Sequence, residues 1–224
     1  FKTTHETGRP GHTLDLDEVG SSAWETRNHT LGLAVRNEQH LLHLSFGYQD
    51  MPYQLYPNQR MDLLDNEQER VNLRYLGEFG AVAVEARVYR ETVDHFMDFG
   101  DDKRFWYGTN SGTGTPCSPI RFHGDPAGTC AAGMPMYTES ETTGALLRAD
   151  VTLSPGNLLR VGSEYQAYEL DDWWPASGGG MGPGTFWNIR DGERDRKALF
   201  GEWESHIGAN WRTSLGVRYE RVES

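Results

Sequence analysis

His95 and Met97 place an imidazole and a thioether two positions apart in the run His95-Phe96-Met97-Asp98. On an extended chain, side chains two apart leave the same face and can converge on one ion. Thioethers favour soft ions, chiefly Cu(I), and imidazole accepts both copper oxidation states. Met51, Met61, Met134, Met136 and Met181 fall in three long segments that read as loops. Met134 and Met136 are the secondary metal candidates, as carriers that pass a soft ion inward. The plainer account of all five is that methionine, a flexible hydrophobe, fills loop packing. His40 and His43 sit towards the opposite end of their strand and read as polar wall residues.

Cys117 and Cys130 share one segment rich in Gly, Pro, Ser and Thr. Their spacing fits a local disulfide that staples a loop in an oxidising compartment. Two free thiols are the alternative, and a zinc pair is weaker, because zinc takes about four ligands at closer spacing. Glu139, Glu141, Asp171, Asp172, Glu193 and Asp195 collect at expected strand ends facing one side. They read as a solvated charged rim, able to attract cations or to hold calcium against lipopolysaccharide phosphates. No His-Glu-x-x-His, Gly-x-Ser-x-Gly or Cys-x-x-Cys occurs, so nothing marks an enzyme.

The elements that must carry these residues announce themselves by period-two alternation. Leu42, Leu44, Phe46 and Tyr48 alternate with His43, Ser45 and Gln49; Val82, Val84, Ala86 and Val88 alternate with Ala83, Glu85, Arg87 and Tyr89. The same pattern recurs through Ala145–Leu153, Leu159–Ala167 and Trp211–Tyr219. Short turns follow Arg36, Phe79 and Ser154, the last as Ser154-Pro155-Gly156-Asn157. Long connections are expected at about 50 to 66, 98 to 135 and 175 to 190, the last around a glycine-rich run. The result is about eight antiparallel strands with short and long connections in strict alternation. A sandwich has no reason to gather its long loops at one end. A transmembrane β-barrel does, with short periplasmic turns and long extracellular loops. The expected fold class is therefore all-β, an antiparallel transmembrane β-barrel segment.

Bulk properties agree. Only 37% of the 224 residues are hydrophobic, yet there are 7 Trp, 10 Tyr and 9 Phe. That combination suits a wall apolar on one thin surface, with aromatic girdles at its edges. Trp173, Trp174, Trp187, Tyr48 and Tyr53 are expected in such a belt at the long-loop side. The net charge of −12 argues against nucleic acid, which needs a basic face. The start at Phe1 reads as that of a partial chain.

Several segments resemble TonB-dependent outer-membrane receptors: Asp50-Met51-Pro52-Tyr53-Gln54, Tyr56-Pro57-Asn58-Gln59-Arg60-Met61-Asp62 and His95-Phe96-Met97-Asp98-Phe99. The strand runs Gly144–Asp150 and Leu158–Gln166 do so as well. Gly133-Met134-Pro135-Met136, Leu170-Asp171-Asp172-Trp173-Trp174-Pro175 and Phe186-Trp187-Asn188-Ile189-Arg190-Asp191-Gly192 resemble the copper-receptor branch. The family fold is a barrel of roughly 22 strands closed by a plug. The resemblance implies that residues 1–224 form a single partial barrel domain, without the plug and the terminal strands. It implies copper ions as transported ligand rather than cofactor, held by His95 and Met97 together with Cys and Met from the plug. The implied partners are the TonB energy-coupling protein, acting through the plug, and outer-membrane lipid and lipopolysaccharide. The implied location is the bacterial outer membrane. The alternatives are a siderophore (ferric chelate) receptor of the same family and a small stand-alone structural barrel, in which the last strand pairs with the first.

Overall fold

The computed structural model describes residues 3–6, 13–16, 22–56, 61–98, 135–175, 184–208 and 210–224. All regular structure in them is β. A short hairpin, β1 (Thr3–Glu6) with β2 (Thr13–Leu16), pairs only with itself. The remaining strands are β3 (Trp24–Arg36), β4 (His40–Gln54), β5 (Asp62–Phe79) and β6 (Val82–Asp98). They continue as β7 (Met136–Ser154), β8 (Asn157–Trp174), β9 (Phe186–Ile207) and β10 (Trp211–Glu223). They form one antiparallel meander in which every strand pairs with its neighbours in sequence. The sheet starts at β3 and ends at β10, and among the described residues nothing joins these two. This piece therefore does not close on itself as a small stand-alone barrel would.

The strands run 13 to 22 residues, beyond the nine to eleven, roughly, that a tilted barrel strand needs to cross a bilayer. They project past any membrane on the long-loop side. Three segments expected as loops are therefore strand: Met51 lies within β4, Met136 opens β7, and β9 begins at Phe186 rather than near 190. Pairing extends the ladder here, because an extended segment beside a formed strand satisfies its own backbone groups by continuing it.

The short connections are tightly specified. Asn37 accepts hydrogen bonds from the Gln39 and His40 amides at 2.9 and 2.7 Å, an Asx-type turn. Gly80, Gly156 and Gly208 turn the other three hairpins with positive φ of 65°, 78° and 66°. Neighbouring hairpins are stitched at this end: the Glu78 amide donates to Gln39 O, Thr152 to Ala81 O and His206 to Gly156 O, all within 2.9 Å. That fixes register from one hairpin to the next.

Register then sorts the two faces. One row crosses all eight strands as Val35, Leu42, Tyr75, Ala86, Leu147, Ser163, Leu199 and Tyr219. These side chains stand in the open: Val35 is 76% exposed, Leu199 62% and Tyr219 67%. Among described residues the only buried hydrophobics are Leu63 and Ala198. A continuous exposed apolar band with almost no core is untenable in water and fits lipid contact.

The opposite face is polar and concave. Side chains two strands apart touch on it: Gln166 of β8 reaches the Tyr89 hydroxyl of β6 at 3.5 Å, and Arg218 of β10 reaches Glu164 of β8 at 2.7 Å. Near the turn end, ion pairs run from Arg74 through Glu85, Arg148, Asp150, Arg160 and Glu204 to Arg212, spanning β5 to β10. The charges that alternate with the apolar residues thus neutralise one another on the inner wall.

Candidate functional site

The long-loop end of the inner face brings the sequence candidates together. His95 and Met97 share that face on β6. Asn66 of β5 is opposite His95, and His95 is opposite Thr138 of β7, which pairs in turn with Asp172 of β8. One step further out, Met97 lies between Leu63 of β5 and Met136 of β7. Directly opposed residues of an antiparallel pair hold their Cβ atoms about 5 Å apart. The two thioethers can therefore reach one ion, a meeting that no local motif announces.

The surroundings hold this pair in place. Asp62, Asp98 and Pro135 are the largest fully buried side chains, and Leu63 is 5% exposed. Asp62 pairs with Asp98 in the ladder beside Leu63 and Met97, and accepts the Tyr56 amide at 2.7 Å. Pro135 precedes Met136. The three largest fully buried side chains thus each adjoin Leu63, Met97 or Met136 in sequence. A register shift between Leu63 and Asp65 lets β5 enter this knot without reversing the faces below it.

The His95 ring is also held. Its Nδ1 lies 2.9 Å from the side-chain oxygen of Asn66. An amide oxygen only accepts, so Nδ1 carries the proton and donates it. In the neutral ring Nε2 then keeps its lone pair, the state a metal requires. Thr138 donates to Asp172 at 3.5 Å, which places a carboxylate two strands from the imidazole on the same face. His95, Met97 and Met136 thus share the inner face at this mouth, on two neighbouring strands. Met134, Met181, Cys117 and Cys130 lie outside the described residues, and Met61 stands just before β5.

Strand geometry divides the aromatic and acidic residues at this end between the two faces. Asp171 and Asp172 stand at the long-loop end of β8, as expected, but on opposite faces of the sheet. Adjacent strand residues point oppositely, so Asp171 pairs with Glu139 outside while Asp172 pairs with Thr138 inside. Trp173 and Trp174 split in the same way. Phe96, Tyr137, Trp173 and Trp187 form an outer ribbon with ring centroids 4.5, 5.5 and 5.4 Å apart. Two rows of carboxylates, Asp94–Glu139–Asp171 and then Glu141–Glu169–Glu193, thus lie between the aromatic ribbon and the apolar band. Trp174 turns inward and stacks on Phe186 at 5.3 Å.

Sequence reading missed one cluster. Carboxylates of Asp50, Asp65 and Glu67 lie within 4.8 Å of one another, and Arg27 already pairs with Asp50 at 2.9 Å. The signal was the acidic run around Asp65-Asn66-Glu67, but only the β4–β5 register brings Asp50 to it. Elsewhere on the rim, Arg90 clasps Glu141 through two bonds of 2.6 Å.

Residues 8–224 match the sequence profile of the family described as TonB dependent receptor-like, beta-barrel. No curated protein matches the chain in sequence. Among solved structures, the copper transporter OprC superposes with a TM-score of 0.66 at 22% identity, over 89% of this chain and 29% of its own. At that identity the likeness is one of fold. The chain spans less than a third of that protein's length.

Proposed function

Since the chain belongs to the TonB-dependent receptor β-barrel family, we propose that it forms part of an outer-membrane receptor that takes up copper ions. The observation that supports copper is the placement of His95 and Met97 on one inward face at the long-loop mouth, with Asn66 fixing the imidazole. An imidazole and a thioether suit a soft or borderline ion and are poor ligands for hard ones. Copper caught there passes down the polar inner wall once a plug, moved through the TonB energy-coupling protein, opens the lumen. Met134 serves as an outlying carrier, a Cys117–Cys130 disulfide staples the long β6–β7 connection, and lipid and lipopolysaccharide surround the apolar band. Residues 1–224 act as one partial barrel domain in this account, and no step calls for catalysis.

A ferric-chelate receptor is the rival. It draws support from the inward Arg194 stacked over Tyr168 at 5.2 Å and Arg87 over Tyr89 at 5.1 Å, cations and rings that suit an anionic aromatic ligand.

The test is copper binding by the full-length protein purified from outer membranes. His95→Ala/Met97→Ala should lower copper affinity at least about tenfold while leaving the barrel folded. Equal affinity in both proteins, or none in either, sinks the copper reading and favours the chelate.

A further inference from the structure

We propose that Met136 is a third ligand beside His95 and Met97, that Trp174 walls the same site, and that the four together select monovalent over divalent copper. This rests on the copper reading above and adds two residues and an oxidation state to it. The first observation is register. Met97 and Met136 are cross-strand partners, so both thioethers face inward at one level, beside His95, whose Nδ1 is committed to Asn66. The second is the next strand. Tyr137 pairs with Trp173, so Met136 and Trp174 are the adjacent residues and share the inner face. Trp174 pairs with Phe186 of β9 and stacks on it with an interplanar angle of 20°. Its indole Nε1–H is buried with no hydrogen-bond partner. The inner mouth thus reads, strand by strand, Met97, Met136, Trp174, Phe186.

Two thioethers and one imidazole form a donor set for Cu(I). Cu(II) prefers nitrogen and oxygen donors in tetragonal geometry, and thioethers serve it poorly. An indole face beside the thioethers attracts a monovalent cation and occupies room that water ligands of Cu(II) would need. The arrangement binds the ion without electron transfer or covalent change. Leu63, 5% exposed, is the β5 partner of Met97 and backs it on the side away from Met136.

The experiment uses the full-length protein in detergent. Cu(I), held reduced, is titrated in competition with a chromogenic Cu(I) chelator; Ag(I) serves as a redox-inert probe and Cu(II) as the comparison. Met136→Leu should lower Cu(I) and Ag(I) affinity about tenfold or more and leave Cu(II) affinity within about twofold. Trp emission should be quenched by Ag(I) in the unsubstituted protein and much less in Trp174→Phe. A measurement without substitution guards against misfolding: Ag(I) should protect Met136 and Met97 alike from peroxide oxidation, read by peptide mass spectrometry. If Met136→Leu binds Cu(I) normally, or Ag(I) protects Met97 alone, the proposal is overturned, and loss of binding in His95→Ala/Met97→Ala would still uphold the copper reading. If no form binds copper, both fall.

Discussion

Asn66 shows how much a single neutral side chain can decide. Its oxygen fixes which His95 nitrogen holds the proton and so which one can bind a metal. Asn66→Leu should lower copper affinity about tenfold without unfolding the barrel, and Asn66→Asp, which keeps an acceptor, should retain most of it. Competition titration of the two variants would check this; equal losses would show that Asn66 matters only for packing. Met136 makes the opposite point. By sequence it is a loop methionine, and by register it is a partner of Met97. Asp171 and Asp172 likewise look like one acidic pair until strand geometry sends them to opposite faces.

At the scale of the strand, adjacent residues should answer differently to the same change. Leu147 stands 53% exposed on the apolar row, while Leu146 faces the inner wall between Arg87 and Glu164. Leu147→Arg should destabilise the barrel by about 2–4 kcal/mol, and Leu146→Arg by much less. Unfolding in urea, followed by heat-modifiable gel mobility, separates the two; similar losses would contradict the assignment of faces. A second contrast concerns glycines. A Cβ on Gly144 would meet the Tyr89 ring at 2.2 Å, whereas one on Gly80 meets nothing within 4 Å but sits at φ 65°. Gly144→Val should cost about 1–3 kcal/mol by displacing that ring, and Gly80→Ala about 1 kcal/mol through its backbone alone. Tyr89→Ala in the Gly144→Val background should recover stability only if the ring is the cause.

At the scale of the whole molecule, the sheet has two bare edges among the described residues, β3 and β10. Each presents a row of unpaired backbone groups along 13 residues, a template for another strand. The chain made alone in detergent should therefore associate, and size-exclusion chromatography should show oligomers or aggregate. A stable monomer would mean that the edges find each other, contrary to the pairing described here. The inner ion pairs would not prevent association, because solvent screens such exposed pairs and leaves them little net stabilisation.

Alternation, turn chemistry and the ordering of short and long connections are local, and the chain declares them in stretches of ten residues. They sufficed for an all-β meander of about eight membrane-crossing strands, and for His95 and Met97 on a common face. Tertiary structure alone decided how far the strands run and what lies beside what. It carried Met51 and Met136 out of the loops, divided Trp173 from Trp174, and brought Asp50 to Asp65. The reason is register: pairing between segments separated by long connections is set by stitched turns and by the demand that one face meet lipid. A slip of one residue would exchange the faces of a whole strand, and no short stretch of sequence records which alignment won.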